Sequence, residues 1–167
     1  MTRTPCKILL ALTLFSASCV ALGDDGSRKR MPLVAVINAQ LVGLQPNDTE
    51  RCLDPLLSFR IDVAGSAQTT LGRAQFTQTH CENDQHTIFG TATISLVFDD
   101  GTKLTATCQG QILATPTTGL DSTLVVTGEY RDTGGTGVLS TAHGTGAYVG
   151  TVNLSTYTVT LALTGKL

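Results

Sequence analysis

From Tyr157 to Leu163 every second residue is large and apolar: Tyr157, Val159, Leu161 and Leu163, with Thr158, Thr160 and Ala162 between them. Successive side chains leave a β-strand on opposite sides, so a period of two marks a strand with one dry face and one wet face. Upstream, Gly134-Gly135-Thr136-Gly137 offers a backbone-permissive corner between two strands. The same pattern runs back through the chain. Leu33, Ala35, Ile37, Ala39 and Leu41 share one face, and Leu57, Phe59, Ile61 and Val63 share another opposite Ser58, Arg60 and Asp62. Ile94, Leu96 and Phe98 oppose Thr91, Thr93 and Ser95, and Leu104, Ala106, Cys108 and Ile112 oppose Thr105, Thr107, Gln109 and Gln111.

Alternation and turn signals together mark eight strands, over 33–42, 56–63, 71–80, 88–98, 103–113, 123–131, 145–154 and 156–166. Asp99-Asp100-Gly101 is a tight-turn signal, and Pro116-Thr117-Thr118-Gly119 ends the fifth strand. Residues 132–144 read as a loop, with at most one helical turn near Val138–Ala142. Threonine occurs 28 times, which suits the exposed face of a pleated sheet. Eight one-faced strands with short links predict an all-β, eight-stranded antiparallel up-and-down barrel of calycin-like form, whose closure removes both sheet edges. A two-sheet β-sandwich is the alternative the same pattern permits. A barrel of this size is filled by side chains or holds one small ligand.

Residues 1–23 read as a secretory signal peptide: Arg3 and Lys7, an apolar run from Ile8 to Ala17, then Ala21-Leu22-Gly23 at a cleavage site. The alternative is a lipoprotein signal with Cys19 as the lipidated residue, although Ser16-Ala17-Ser18 lacks the usual large aliphatic residue. A flexible tail, 24–31, and a single domain, 32–167, follow. Without the leader the chain carries 9 basic and 13 acidic residues, net −4, which draws neither nucleic acid nor an anionic membrane. The protein is expected to be secreted or periplasmic, with no integral membrane span.

Three cysteines then remain. Cys52 and Cys81 lie equidistant from the centre of the hairpin made by strands two and three, and both fall on its polar face by parity. A Cys52–Cys81 disulfide is therefore expected, with Cys108 a small buried hydrophobe on the apolar face.

The stretch AGSAQTTLGRAQFTQTHC and the later GGTGVLSTAHGTGAYVG resemble a group of bacterial secreted proteins with a G-x-A-T-x-L-G hairpin and a glycine-rich corner before two final strands. That pattern is similar to the barrel of allene oxide cyclases and dirigent proteins. The matching positions are Gly65, Thr70, Leu71, Gly72 and Arg73, then Gly134, Gly135, Thr136, Gly137, Ala142 and Gly144. The Arg-Phe usual at the corner is Val138-Leu139 here. The resemblance implies an eight-stranded barrel with a hydrophobic cavity. Gly134, Gly135, Gly137 and Gly144 carry fold and not chemistry, and no catalytic residue transfers.

His80-Cys81-Glu82-Asn83-Asp84-Gln85-His86 is the densest cluster of metal-ligand types, in which His80, Asp84 and His86 could meet a metal if the loop curled, but the spacing meets no known motif and a polar hairpin loop accounts for it. Neither a metal nor a cofactor is expected. If the apolar face lines a cavity, Tyr130, Tyr148 and Tyr157 are its candidate polar handles. Glu129 and Arg131 fall outside by parity. The expected function is that of an exported, non-catalytic barrel that binds a small apolar ligand or serves as a surface or matrix component. A cyclase or isomerase of the allene oxide cyclase or dirigent kind is the enzymatic alternative, which a Glu or Arg buried in the cavity would favour. A purely structural or adhesive module is the third. Neither the ligand nor the oligomeric state is legible in the sequence.

Overall fold

The alternating segments fold into eight strands: β1 (Pro32–Gln45), β2 (Phe59–Thr69), β3 (Gly72–Glu82), β4 (Ile88–Phe98), β5 (Lys103–Ala114), β6 (Thr123–Gly135), β7 (Thr145–Asn153) and β8 (Thr158–Lys166). The computed structural model describes residues 31–114 and 123–167. The expected leader, most of the expected tail, Cys19 and the turn expected at 116–119 lie outside the described residues. Each strand pairs antiparallel with the next, and β8 pairs with β1 through Ala35 opposite Leu163 and Ile37 opposite Leu161. The ring is therefore a closed up-and-down barrel, and the sandwich alternative is set aside.

Alternate residues fill the interior as the pattern requires. Leu33, Ala35, Ile37 and Ala39 of β1 are buried, as are Ile94, Leu96 and Phe98 of β4 and Val159, Leu161 and Leu163 of β8. Three one-residue bulges shift the phase. Val42 is extra in β1, so Leu41 and Leu44 face the same side. Gly90 and Thr91 of β4 oppose Gln109 alone, which turns Phe89 inward with Ala92. Thr133 is extra in β6. Such bulges bend the strands and help a sheet to close.

The largest differences from the expected boundaries fall in β2 and β6. β2 begins at Phe59 and extends to Thr69, because residues 46–58 turn across the outside of the barrel and are pinned there by the disulfide. β6 continues to Gly135, and the corner closes with a short 3-10 turn, Gly137–Leu139. Gly134 (φ 129°) and Gly137 (φ 58°) hold left-handed backbone there, which a side chain would strain. The Asp99-Asp100-Gly101 turn is present, with Asp100 accepting from the Thr102 amide at 2.8 Å.

The interior has two unlike halves. At the end formed by the β2–β3 and β4–β5 turns and the glycine corner, Leu33, Ala67, Ala74, Phe76, Leu96, Leu104, Leu139, Ala142 and Leu163 pack into one core. At the opposite end the barrel is open.

Candidate functional site

The open end is a cavity of about 350 Å³ to which all eight strands contribute. Its wall is mainly aliphatic: Leu41, Ile61, Val63, Ile112, Val126 and Leu161 are representative. Most polar groups come from one side, where β3 supplies Gln78, His80 and Glu82 and the β3–β4 hairpin supplies His86, while Tyr148 comes from β7 across the ring and its hydroxyl reaches β5. A few polar groups on an apolar wall is the usual make-up of a small-molecule site, and the volume is within the usual range of about 300–1,000 Å³.

Strand parity explains the polar side. Ala74, Phe76, Gln78, His80 and Glu82 alternate along β3, all buried. Glu82 joins the two histidines. His80 Nε2 lies 2.8 Å from Glu82 Oε1, and His86 Nδ1 lies 2.6 Å from Glu82 Oε2. Burial by itself would raise the Glu82 carboxyl, but the hydrogen bonds and charges of His80 and then His86 outweigh it and hold the group below its ordinary value. Glu82 is thus a carboxylate, an acceptor only, so both rings donate to it. His80 Nδ1 is then left without a partner, buried, on a ring packed 4.9 Å from Phe89.

His86 reaches back because the hairpin is fixed by Asn83. The Asn83 Oδ1 accepts from the Thr87 and Ile88 amides at 2.8 and 3.1 Å, and its Nδ2 donates to Gln85 and Thr87. His86 adopts a left-handed backbone (φ 52°), uncommon for a side chain of its size. Behind this wall the Cys52–Cys81 disulfide, 2.09 Å long, packs with Leu57 on the outer face of the barrel. Cys81 points outward between inward His80 and Glu82, so the bridge holds the β1–β2 connection against the strand that carries the polar groups.

Of the three tyrosines, two line the cavity and one does not. Tyr148 lies over paired Gly110 and Gly128, whose missing side chains make room for its ring, and its hydroxyl donates to the Gln109 carbonyl at 3.0 Å. Burial raises its hydroxyl well above the ordinary range, with Cys108 adding to the effect. Tyr157 borders the mouth from the turn before β8, half-exposed and with φ 56°, and not from within the strand as its place in the alternation predicts. The correction is larger for Tyr130. It lies in the packed half over paired Gly146 and Gly165, beside a void of about 10 Å³ and away from the open cavity. Its hydroxyl has no partner, and burial followed by the Asp132 charge pushes it up to about 12.

Cys108 is buried and its thiol is pushed up to about 12 by burial, which makes it a poor nucleophile. Asp84 leaves the histidines and hydrogen-bonds Ser58 at the surface, 2.7 Å away, so no His80–Asp84–His86 metal site forms. Among the described residues no group of three or more ligand types is placed to hold a metal ion. Glu129 and Arg131 are exposed outside the barrel. Gln78 is a site residue absent from the sequence reading, and Glu82 stood in the 80–86 cluster without a role in the cavity. The available signal was three polar residues at 78, 80 and 82 on the parity that Ala74 and Phe76 mark as dry.

No family model, curated protein or solved structure matches this chain. Among the described residues no helix is long and apolar enough to cross a membrane.

Proposed function

We propose that this protein is an exported β-barrel that binds a small apolar molecule in the cavity at its open end. The carrying observation is the asymmetry of the interior: one half keeps a void of only about 10 Å³ and the other about 350 Å³ behind an aliphatic wall. A purely structural barrel has no need of an unfilled half, since unfilled core space costs contacts. Export is supported by the N-terminal leader pattern and by the disulfide, which persists in oxidising compartments. The resemblance to allene oxide cyclase and dirigent barrels points the same way. Titration with the neutral fluorophore N-phenyl-1-naphthylamine tests the proposal. A saturable, one-to-one enhancement is expected, and Val126→Phe should weaken it at least about tenfold by filling the cavity. A barrel that gives no saturable signal would sink the reading.

A second reading, an isomerase- or cyclase-type enzyme, is favoured by the Glu82 carboxylate inside the cavity. A histidine oriented by a carboxylate, with its second ring nitrogen unpartnered, is the arrangement of a general base. Deuterium exchange at the α-carbons of 2-indanone checks it by NMR. The enzymatic reading expects exchange faster than in an equal concentration of imidazole, lost in His80→Gln; exchange no faster than imidazole leaves a binding protein.

A further inference from the structure

The charge inside the cavity selects what can enter it. We propose that the open-end cavity takes apolar molecules headed by a hydrogen-bond donor and rejects the carboxylate of a fatty acid. This rests on the ligand-binding reading above.

Three observations carry it. First, the described residues that line the cavity include one carboxylate, Glu82, and no lysine or arginine, and the two histidines an incoming anion could meet, His80 and His86, are already engaged by Glu82. A carboxylate brought beside a second carboxylate in an apolar cavity is disfavoured by repulsion and by lost hydration together. Second, the polar wall is richer in acceptors than in free donors. The Tyr148 hydroxyl donates to Gln109, the Gln78 Nε2 lies 3.7 Å from the Cys108 sulfur, and both histidines spend a donor on Glu82. The Glu82 oxygens keep further lone pairs, and the Gln78 and Tyr148 oxygens accept as well. Third, His80 Nδ1 is a buried nitrogen with no partner, and in the neutral tautomer that gives Nε2–H to Glu82 it is an acceptor facing a ligand's donor. A hydroxyl or amine at the head of an apolar ligand supplies the proton such a wall lacks. A donor shared with a charged acceptor is also stronger than a neutral pair.

Competition for bound N-phenyl-1-naphthylamine at pH 7.5 tests this on the disulfide-intact protein. The competitors share one carbon count: 1-decanol, decylamine, methyl nonyl ether and sodium decanoate. Decanol and decylamine should displace the probe at concentrations about tenfold below the ether, which offers no donor, and further below decanoate. Decanol ahead of decylamine would assign a neutral hydroxyl head, and the reverse a cationic amine. In Glu82→Gln the disadvantage of decanoate relative to the ether should shrink at least about threefold. The proposal is overturned if decanoate competes as well as decanol, or if ether and alcohol are equal. If the probe and all four competitors fail to bind, the ligand-binding reading falls first and this inference with it.

Discussion

At the scale of single residues, the acid groups inside the barrel respond to pH in opposite senses. Asp132 is 3% exposed, and neither carboxyl oxygen has a hydrogen-bond partner. Burial raises it from 3.8 to about 6, with the His143 charge working against the rise. A raised value means that folding prefers the neutral acid. Its contribution is therefore fully present below pH 3.8 and is lost as the pH climbs through about 6. The Asp132→Asn variant should gain about 1–3 kcal/mol at pH 7.5 and lose this dependence, as measured by urea unfolding across pH; an unchanged stability would mean the carboxylate is satisfied in solution. Glu82 is lowered, so its contribution is present above 4.5 and fades as the pH falls through its folded value. The two windows do not coincide, and the difference between Asp132→Asn and Glu82→Gln profiles separates them. A glycine supplies the third case. A Cβ at Gly128 would collide with the Gln109 carbonyl and the Tyr148 hydroxyl. We expect Gly128→Ala to cost about 1–3 kcal/mol and to weaken probe binding by displacing Tyr148. Gly146→Ala, which meets Tyr130 in the packed half, should cost stability while leaving the probe affinity within about twofold. Equal loss of binding in both variants would contradict the division of the interior.

Among the elements, β3 does most to position the site, and the disulfide is its brace. The bridge joins residues 29 apart. Replacing Cys52 and Cys81 together by serine should lower stability by about 3 kcal/mol on the chain-entropy account. It should also raise the probe dissociation constant, because the connection over 46–58 would no longer press on the back of β3. Thermal unfolding with and without reductant, followed by titration, reads both effects; a reduced protein with unchanged affinity would make the brace purely a matter of stability. Strand number was legible because a period of two survives along each element, as in Leu33 to Leu41 and Val159 to Leu163, whereas closure rests on the pairing of β8 with β1, since the same pattern permits a sandwich. The bulges were not legible. An extra residue such as Val42 or Thr133 carries no marker in its own chemistry, and its effect appears only against the partner strand. The Cys52–Cys81 pairing was anticipated, but not for the right reason: the hairpin turns at 70–71, Cys81 lies opposite Arg60, and Cys52 reaches it from the connection over 46–58. The site was only half legible. His80 and His86 stood out as a cluster, but their meeting on Glu82 depends on the hairpin that Asn83 folds back and on reading 78, 80 and 82 as inward. Tyr130 and Tyr148 have the same parity, and only their distance from the barrel's two ends separates a packed tyrosine from one at a cavity wall.

For the whole molecule, closure of β8 on β1 leaves no free sheet edge, so hydrogen bonding alone could support a barrel filled from end to end. Instead the side chains of one half meet across the interior, and the open half combines aliphatic walls with one buried carboxylate. The account therefore stands or falls on where an apolar molecule goes. The most direct measurement is a titration of the folded protein, labelled at its Leu, Ile and Val methyl groups, with N-phenyl-1-naphthylamine, followed by NMR. The account predicts saturable shifts at Leu41, Ile61, Val63, Ile112 and Val126, with Leu33, Leu96, Leu104 and Leu163 unmoved. No shift at saturating probe, or shifts confined to the exposed Val34, Val36 and Val149, would contradict it.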